Sequence, residues 1–210
     1  MNKHPLLIIF FCLLTLPMLA QKKLSVVYTS QNRNDTGFIY NKQLLAINDS
    51  VSFQTTTFLR GKDIPYSLPL GSGFGSHNTY IDHSGNLMLT QSQPHGRSKQ
   101  LIEDTVHKSS WKLLEGEKEI LGFRCKKAVN YDHGYGEVVW YAPSIPLPFG
   151  PGWLGGLPGV ILEVNVSGSP VVIIATQITQ DAPEIVEPTE GKRISAEKFR
   201  RMMKGNSVSF

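Results

Sequence analysis

Apolar and polar residues alternate along most of this chain with the period of two that half-buried β-strands show. The segment Val51–Leu59, for example, is rich in Val, Thr and Phe, which favour sheets. Turn-forming residues at His83–Gly85, Asp132–Gly134 and Ser167–Pro170 separate several of these runs. The predicted strands are Leu24–Thr29, Gly37–Ile47 with a turn at Asn41-Lys42, Val51–Leu59, Tyr80–Asp82, Asn86–Gln93, Gln100–His107, Trp111–Leu114, Lys118–Tyr131, Tyr135–Tyr141, Val160–Val166 and Val171–Ile178.

One segment near the C-terminus follows the rules for an α-helix instead. Ser195 can cap the N-terminus of a helix over Ala196–Lys204, and Gly205 stands just past its end. Many short strands with a single terminal helix predict a mainly β fold. We expect a curved antiparallel sheet or half-open barrel with a short C-terminal helix, and the successive hairpins predict an up-and-down strand order.

A proline- and glycine-rich segment, Val138–Val164, interrupts the alternation. Proline fixes φ and glycine tolerates positive φ, so this segment predicts a long, shaped loop between two strands. Long loops in compact domains are often functional. Two interpretations stay open: the loop fills one end of the sheet as a plug, or it rims an apolar cavity. In the second case the ligand-binding residues would be Trp140, Tyr141, Phe149, Trp153, Leu157 and Pro158.

The first 20 residues predict a secretory signal peptide. Lys3 precedes the apolar run Leu6–Leu16, and Ala20 offers a small residue for cleavage. The run is shorter than the roughly 20 residues of a membrane-spanning helix. We expect residues 21–210 to form a single β-rich domain without a transmembrane segment. This domain would be exported to the periplasm or associated with the outer membrane.

Charge and cysteine content narrow the function further. The formal net charge of +4 falls to +3 when Lys3 is removed, and no concentrated basic face is present, so we predict no nucleic-acid partner. Of the two cysteines, only Cys125 remains after cleavage, which excludes a disulfide within the mature chain. Cys125 is interpreted as a small buried residue, a link to another chain, or a reactive thiol.

Catalytic signals are weak. The chain has neither a G-x-S-x-G nor an H-E-x-x-H motif. A Cys125–His133 pair would be about 26 Å apart along a simple hairpin, beyond hydrogen-bonding reach. Glu163 ends an apolar run, and we expect it to form a structural ion pair with Lys126 or Lys127. We therefore predict no catalytic residue and no cofactor.

Several motifs occur together in an order that resembles a known family. They are Ile120–Ala128, Val139–Tyr141, Ile145-Pro146, Phe149–Pro151 and Gly156–Glu163. Their arrangement is similar to that in the GLPGLI family of exported bacterial proteins, whose naming motif stands here as GLPGVI. The resemblance implies an envelope protein of Gram-negative bacteria, and it implies no particular activity.

These observations favour a non-enzymatic binding or carrier protein. Its partner would be an apolar small molecule, a lipid or peptide, or an outer-membrane protein. The alternative is a metal- or thiol-dependent envelope protein that uses Cys125 and histidines. In that case His77, Asp82 and His83 could meet around one strand end, with Cys125 as a soft ligand for copper or zinc.

Overall fold

The computed structural model describes residues 23–34, 39–48, 50–58, 77–92, 98–132 and 136–204, which contain twelve strands and one helix. The elements are β1 (Lys23–Asn32), β2 (Ile39–Asn48), β3 (Val51–Phe58), β4 (His77–Asp82), β5 (Leu87–Ser92), β6 (Gln100–Asp104), β7 (Lys112–Ile120), β8 (Phe123–Asn130), β9 (Glu137–Ala142), β10 (Val160–Val166), β11 (Val171–Thr179), β12 (Lys192–Ser195) and α1 (Ala196–Lys204).

All strands of the described ranges belong to one sheet, in the order β12-β6-β5-β4-β3-β2-β1-β11-β10-β9-β8-β7. Strands β1 to β6 form one meander and β7 to β11 form a second, and antiparallel pairing of β1 with β11 joins them. The two end strands do not pair, so the sheet is not closed into a barrel. The predicted mainly β fold with a short C-terminal helix is confirmed.

Strand β12 is parallel to its neighbour β6, whereas the other strand pairs are antiparallel. Segment 180–191 leads from β11 in the interior of the sheet to β12 at its edge, and so crosses the strands of the first meander. Its path is fixed by hydrogen bonds from Ser25 Oγ to the Asp181 carbonyl (2.6 Å) and from Gln91 Nε2 to the Glu190 carbonyl (3.0 Å). Ile185 packs on the buried cluster of Tyr80, Leu89 and Leu101. The crossover therefore covers one half of one face of the sheet.

The opposite face is covered by the loop 143–159, which carries most of the proline- and glycine-rich segment. Four apolar side chains of this loop enter the main core, and they are Leu147, Phe149, Leu154 and Leu157. The backbone N–H of Gly152 donates to Gln54 Oε1 on β3 (2.7 Å), and that of Ile161 donates to the Phe149 carbonyl (2.9 Å). The loop is thus attached to strands in both meanders.

Two local predictions are wrong. The turn expected at Asn41-Lys42 is absent, because β2 runs unbroken from Ile39 to Asn48 and pairs with β1 on one side and β3 on the other. The single strand expected over Lys118–Tyr131 is instead the end of β7, a tight turn and β8. At the turn, Leu121 and Gly122 have φ values of 52° and 80°, as a type I′ hairpin requires.

Other local predictions are confirmed. The turn after β4 is held by Asp82 Oδ1, which accepts from the backbone N–H groups of Ser84 (2.9 Å) and Gly85 (3.0 Å). The hydroxyl of Ser84 also donates to this carboxylate, and it is the main cause of a lowered Asp82 pKa. Ser195 Oγ accepts from the N–H of Lys198 (3.2 Å) at the start of α1, as expected of an N-cap.

Candidate functional site

Half of the residues proposed to bind a ligand are inside the core. Tyr141, Phe149 and Leu157 are each 2% exposed and pack with other buried residues. Trp153 is partly buried, with its ring 6.1 Å from that of His107, and Pro158 is exposed. These positions describe a loop that fills the sheet on this side. The ligand-binding role assigned to them stays a prediction.

Close backbone contacts hold this loop in place. A Cβ on Gly159 would lie 2.3 Å from the carbonyl oxygen of Ala142, which no side chain can tolerate. Gly156 has φ of 87°, in the region that favours glycine. The indole N–H of Trp111 donates to the Gly155 carbonyl (2.7 Å). In the GLPGVI segment, Gly159 therefore permits close packing at the entry to β10, and Gly156 permits a positive φ.

A groove opens on the other face of the sheet, around Trp140. Neighbouring residues of a strand point to opposite faces, so Trp140 and Tyr141 lie on opposite faces of the sheet, and Trp140 also packs against the main hydrophobic cluster. The groove has a volume of about 350 Å³. We call it the Trp140 groove. It is lined by Arg33, Lys127, Val138, Trp140, Glu163, Asn165, Val166, Ser167 and Gly168.

A β-bulge in β10 places Glu163 in this groove. Ile161 lies opposite Tyr141 on β9, whereas Glu163 lies opposite Trp140, because the register shifts between them. Without the extra residue, Ile161 and Glu163 would share one face, and the carboxylate would point into the core. The bulge turns Glu163 toward the groove, where its side chain is 10% exposed.

Glu163 is paired with Lys118, whose Nζ lies 2.5 Å from Glu163 Oε2. The expected partners, Lys126 and Lys127, were wrong. Lys126 lies opposite Tyr141 and so points to the other face, while Lys127 lies beside Trp140. Lys118 on β7 reaches Glu163 on β10 across β8 and β9. In a flat sheet these two strands would be three spacings, about 14 Å, apart, so the ion pair requires the sheet to curl toward the groove.

A hydrogen-bonded chain continues from Glu163 across the groove. Asn165 Nδ2 donates to Glu163 Oε1 (2.7 Å), and Arg33 Nη2 donates to Asn165 Oδ1 (2.9 Å). The backbone N–H of Arg33 donates to the Pro170 carbonyl (2.7 Å), which holds the end of β1 beside the β10–β11 turn. Asn165 thus fixes a carboxylate and a guanidinium in a defined relation.

The indole of Trp140 forms the floor of the groove. Lys118 Nζ and Lys127 Nζ lie over the ring, 4.8 Å and 5.7 Å from its centroid, within the range of cation–π attraction. Gly116, in a bulge of β7 with φ of 127°, lies beside the ring edge, and a Cβ there would be in van der Waals contact with Trp140 at 3.5 Å. The ring is therefore fixed by packing and charge.

The sequence analysis identified Trp140 and Glu163 but missed Arg33, Lys118 and Asn165. The one local signal was the polar Asn165, two residues after Glu163 within an otherwise apolar strand. Arg33 and Lys118 gave no signal, because Arg33 follows β1 and Lys118 lies on β7, both far from Glu163 in the chain.

The conditions for thiol chemistry are unfavourable at Cys125. Its side chain is fully buried, and Sγ donates to the Phe123 carbonyl at 3.4 Å. Burial raises the pKa of the thiol, although Lys118 opposes the shift, whereas a nucleophilic cysteine needs a lowered pKa. Among the residues that are described, no three His, Cys, Asp or Glu side chains converge as metal ligands. His95 and His133 lie outside these residues.

A second groove, of about 590 Å³, lies between β6, β12 and α1. Its charged side chains are matched to each other: Arg193 Nε lies 2.6 Å from Glu103 Oε2, and Arg200 Nη1 lies 3.7 Å from Asp104 Oδ2. Because the charges of this second groove are paired, the Trp140 groove is the stronger candidate for a binding site.

No helix within the described part of the chain is long and apolar enough to cross a membrane.

Comparison with known proteins identifies the family. Residues 73–196, more than half of the chain, match the family model described as N-glycanase peptide, N-terminal domain. Two structures of PNGF-II, in space groups C2 and P21, superpose with a TM-score of 0.64 each, at 19% and 18% sequence identity. They cover 88% and 87% of this chain, and the chain spans 33% of each of them. No curated protein sequence matches.

These findings correct the resemblance to the GLPGLI family, which was wrong. The family model that matches is the N-glycanase N-terminal domain, and the similar structures are those of PNGF-II. The GLPGVI motif was misleading because it is short, and in this chain its Gly159 meets a packing requirement, the close approach to Ala142.

Proposed function

The chain belongs to the family of N-glycanase N-terminal domains, and from this premise we propose that it is a non-catalytic domain that binds the glycan of a glycoprotein in the Trp140 groove. The observation that carries the proposal is the composition of the groove. An indole ring is surrounded there by a carboxylate, an amide and a guanidinium in fixed orientations.

This composition suits a saccharide. The apolar face of a pyranose ring packs on an aromatic ring, and its hydroxyls pair with planar polar side chains. Glu163 and Asn165 offer acceptors and donors that are held in place by neighbouring residues. The volume of about 350 Å³ is at the small end for ligand pockets and would accommodate a short saccharide.

A binding role without catalysis is supported by the lack of a matched acid–base pair in the groove. Glu163 is engaged by Lys118 and Asn165, and the described lining residues include no second carboxylate. The proposal moves the ligand from the loop 143–159 to the opposite face. An apolar ligand at the loop and an outer-membrane partner are the competing proposals.

We also propose the compartment in which this binding takes place. Residues 1–20 would be removed as a signal peptide, and residues 21–210 would act as one domain in the periplasm or at the outer membrane. N-terminal sequencing of the protein recovered from the cell envelope should then begin near Gln21. A start at Met1 would contradict export by this route.

Glycan binding is tested with two tryptophan variants on opposite faces. The purified protein is titrated by calorimetry with a neutral N-glycan, and the titration is repeated with Trp140→Ala and Trp153→Ala. We expect Trp140→Ala to weaken binding at least about tenfold, as for an aromatic residue at the centre of an interface. Trp153→Ala should bind normally.

The outcomes separate the proposals. Loss of binding in Trp153→Ala alone would favour a ligand at the loop and contradict the Trp140 groove. No binding by the wild-type protein would contradict glycan binding itself. Thermal unfolding of both variants shows whether a loss of affinity reflects a loss of folded protein.

A further inference from the structure

The charges in the Trp140 groove do not cancel. Glu163 is the carboxylate of the groove, and its charge is compensated by Lys118 at 2.5 Å. Arg33 and Lys127 also line the groove, and no described carboxylate lies within 4 Å of either of them. Among the described side chains, the positive charges of Arg33 and Lys127 therefore remain without a carboxylate partner in the groove.

Both cations are held in position. The guanidinium of Arg33 is exposed and uses one Nη2 bond to reach Asn165, which leaves further N–H donors for a ligand. Lys127 is partly buried and is held beside Trp140, 5.7 Å from the ring centroid. Their polar neighbours in the groove do not neutralise them. Asn165 contributes a neutral amide, and the carboxylate of Glu163 is paired with Lys118.

We infer that the groove prefers acidic saccharides, and that the positive charges of Arg33 and Lys127 attract the carboxylate of such a sugar while its ring lies against Trp140. This inference rests on the proposed glycan-binding function and adds the charge of the ligand. Arginine forms paired hydrogen bonds with a carboxylate, and such charge-assisted bonds are about twice as strong as neutral ones.

The test compares two ligands that differ in one charged sugar. The purified protein is titrated with a neutral N-glycan and with the same glycan extended by a terminal carboxylated sugar. We expect the acidic glycan to bind about tenfold more tightly at low salt, and this ratio should fall as the salt concentration rises.

Charge-removing variants locate the effect. Lys127→Gln and Arg33→Gln should lower the ratio of acidic to neutral affinity toward one. Lys126→Gln is the matched control for Lys127→Gln. It removes the same charge from the preceding residue, which is exposed and faces the other side of the sheet. The ratio should not change in this control.

Failure of the inference can be distinguished from failure of the function. Equal binding of the two glycans by the wild-type protein would overturn the preference and leave glycan binding intact. A ratio that falls equally in Lys126→Gln would show a general charge effect and would also overturn it. Binding of neither glycan would overturn both proposals.

Discussion

The buried carboxylate of Glu137 should make the stability of this protein depend on pH in an unusual direction. Glu137 begins β9, is 1% exposed and lies opposite Asn130, whose Nδ2 is 3.5 Å from Oε2. Burial, assisted by the negative charge of Asp132, raises its pKa from 4.5 to about 7. Surface carboxylates in ion pairs usually have lowered pKa values, so their contribution to the free energy of unfolding increases as the pH rises.

The magnitude follows from proton linkage. Below pH 4.5 Glu137 is protonated in both states and contributes no pH dependence. Between pH 4.5 and 7 the unfolded chain loses the proton while the folded protein keeps it, so the free energy of unfolding falls as the pH rises. Each pH unit in this range costs about 1.4 kcal/mol, and the total approaches about 3 kcal/mol above pH 7.

The perturbation is Glu137→Gln, which keeps the shape and removes the charge. Urea unfolding at pH 4.5, 5.5, 6.5 and 8 should give similar free energies for variant and wild type at the lowest pH. At pH 8 the variant should be more stable by up to about 3 kcal/mol. Glu119→Gln, at an exposed position on β7, is the control and should follow the wild type. Parallel curves for wild type and Glu137→Gln at every pH would refute the reasoning.

Three further substitutions test the packing. Gly159→Ala should cost about 3 kcal/mol or more, measured by thermal unfolding, because the new Cβ would overlap the carbonyl of Ala142. Lys118→Met should cost about 3 kcal/mol in urea unfolding, since it leaves the buried Glu163 carboxylate without its ion pair. Leu121→Asn should stabilise the protein by about 0.5 kcal/mol in the same assay, because asparagine tolerates the positive φ at this exposed turn.

Each of these substitutions has a control. Gly168→Ala, at φ of 78° but with no atom near its Cβ, should cost only about 1 kcal/mol, and an equal loss in Gly159→Ala would contradict the steric argument. The double change Lys118→Met with Glu163→Gln should recover most of the lost stability, and no recovery would argue against an ion-pair effect. Asn86→Leu, at φ of 52° in another turn, should be destabilising.

The candidate site was only partly predictable from sequence. Trp140 was identified as an aromatic residue near an unusual loop and was grouped around one cavity with Tyr141, Phe149 and Trp153, whereas Trp140 and Tyr141 lie on opposite faces of the sheet. Strict alternation already places Trp140 and Tyr141 on opposite faces. What alternation does not reveal is which face the loop covers, and that depends on contacts such as Gly152 to Gln54, whose residues are 98 positions apart.

Local chemistry in the sequence determined the elements of this protein: most of the strands, the turn at Asp82, the N-cap at Ser195 and the position of the long loop. These depend on residues within a few positions of each other, so they can be inferred from a short window. Tertiary structure alone decided that β1 pairs with β11, that a bulge turns Glu163 out of the core, and that Lys118 neutralises it. Register and sheet curvature arise from the packing of the whole chain, and no local pattern specifies them.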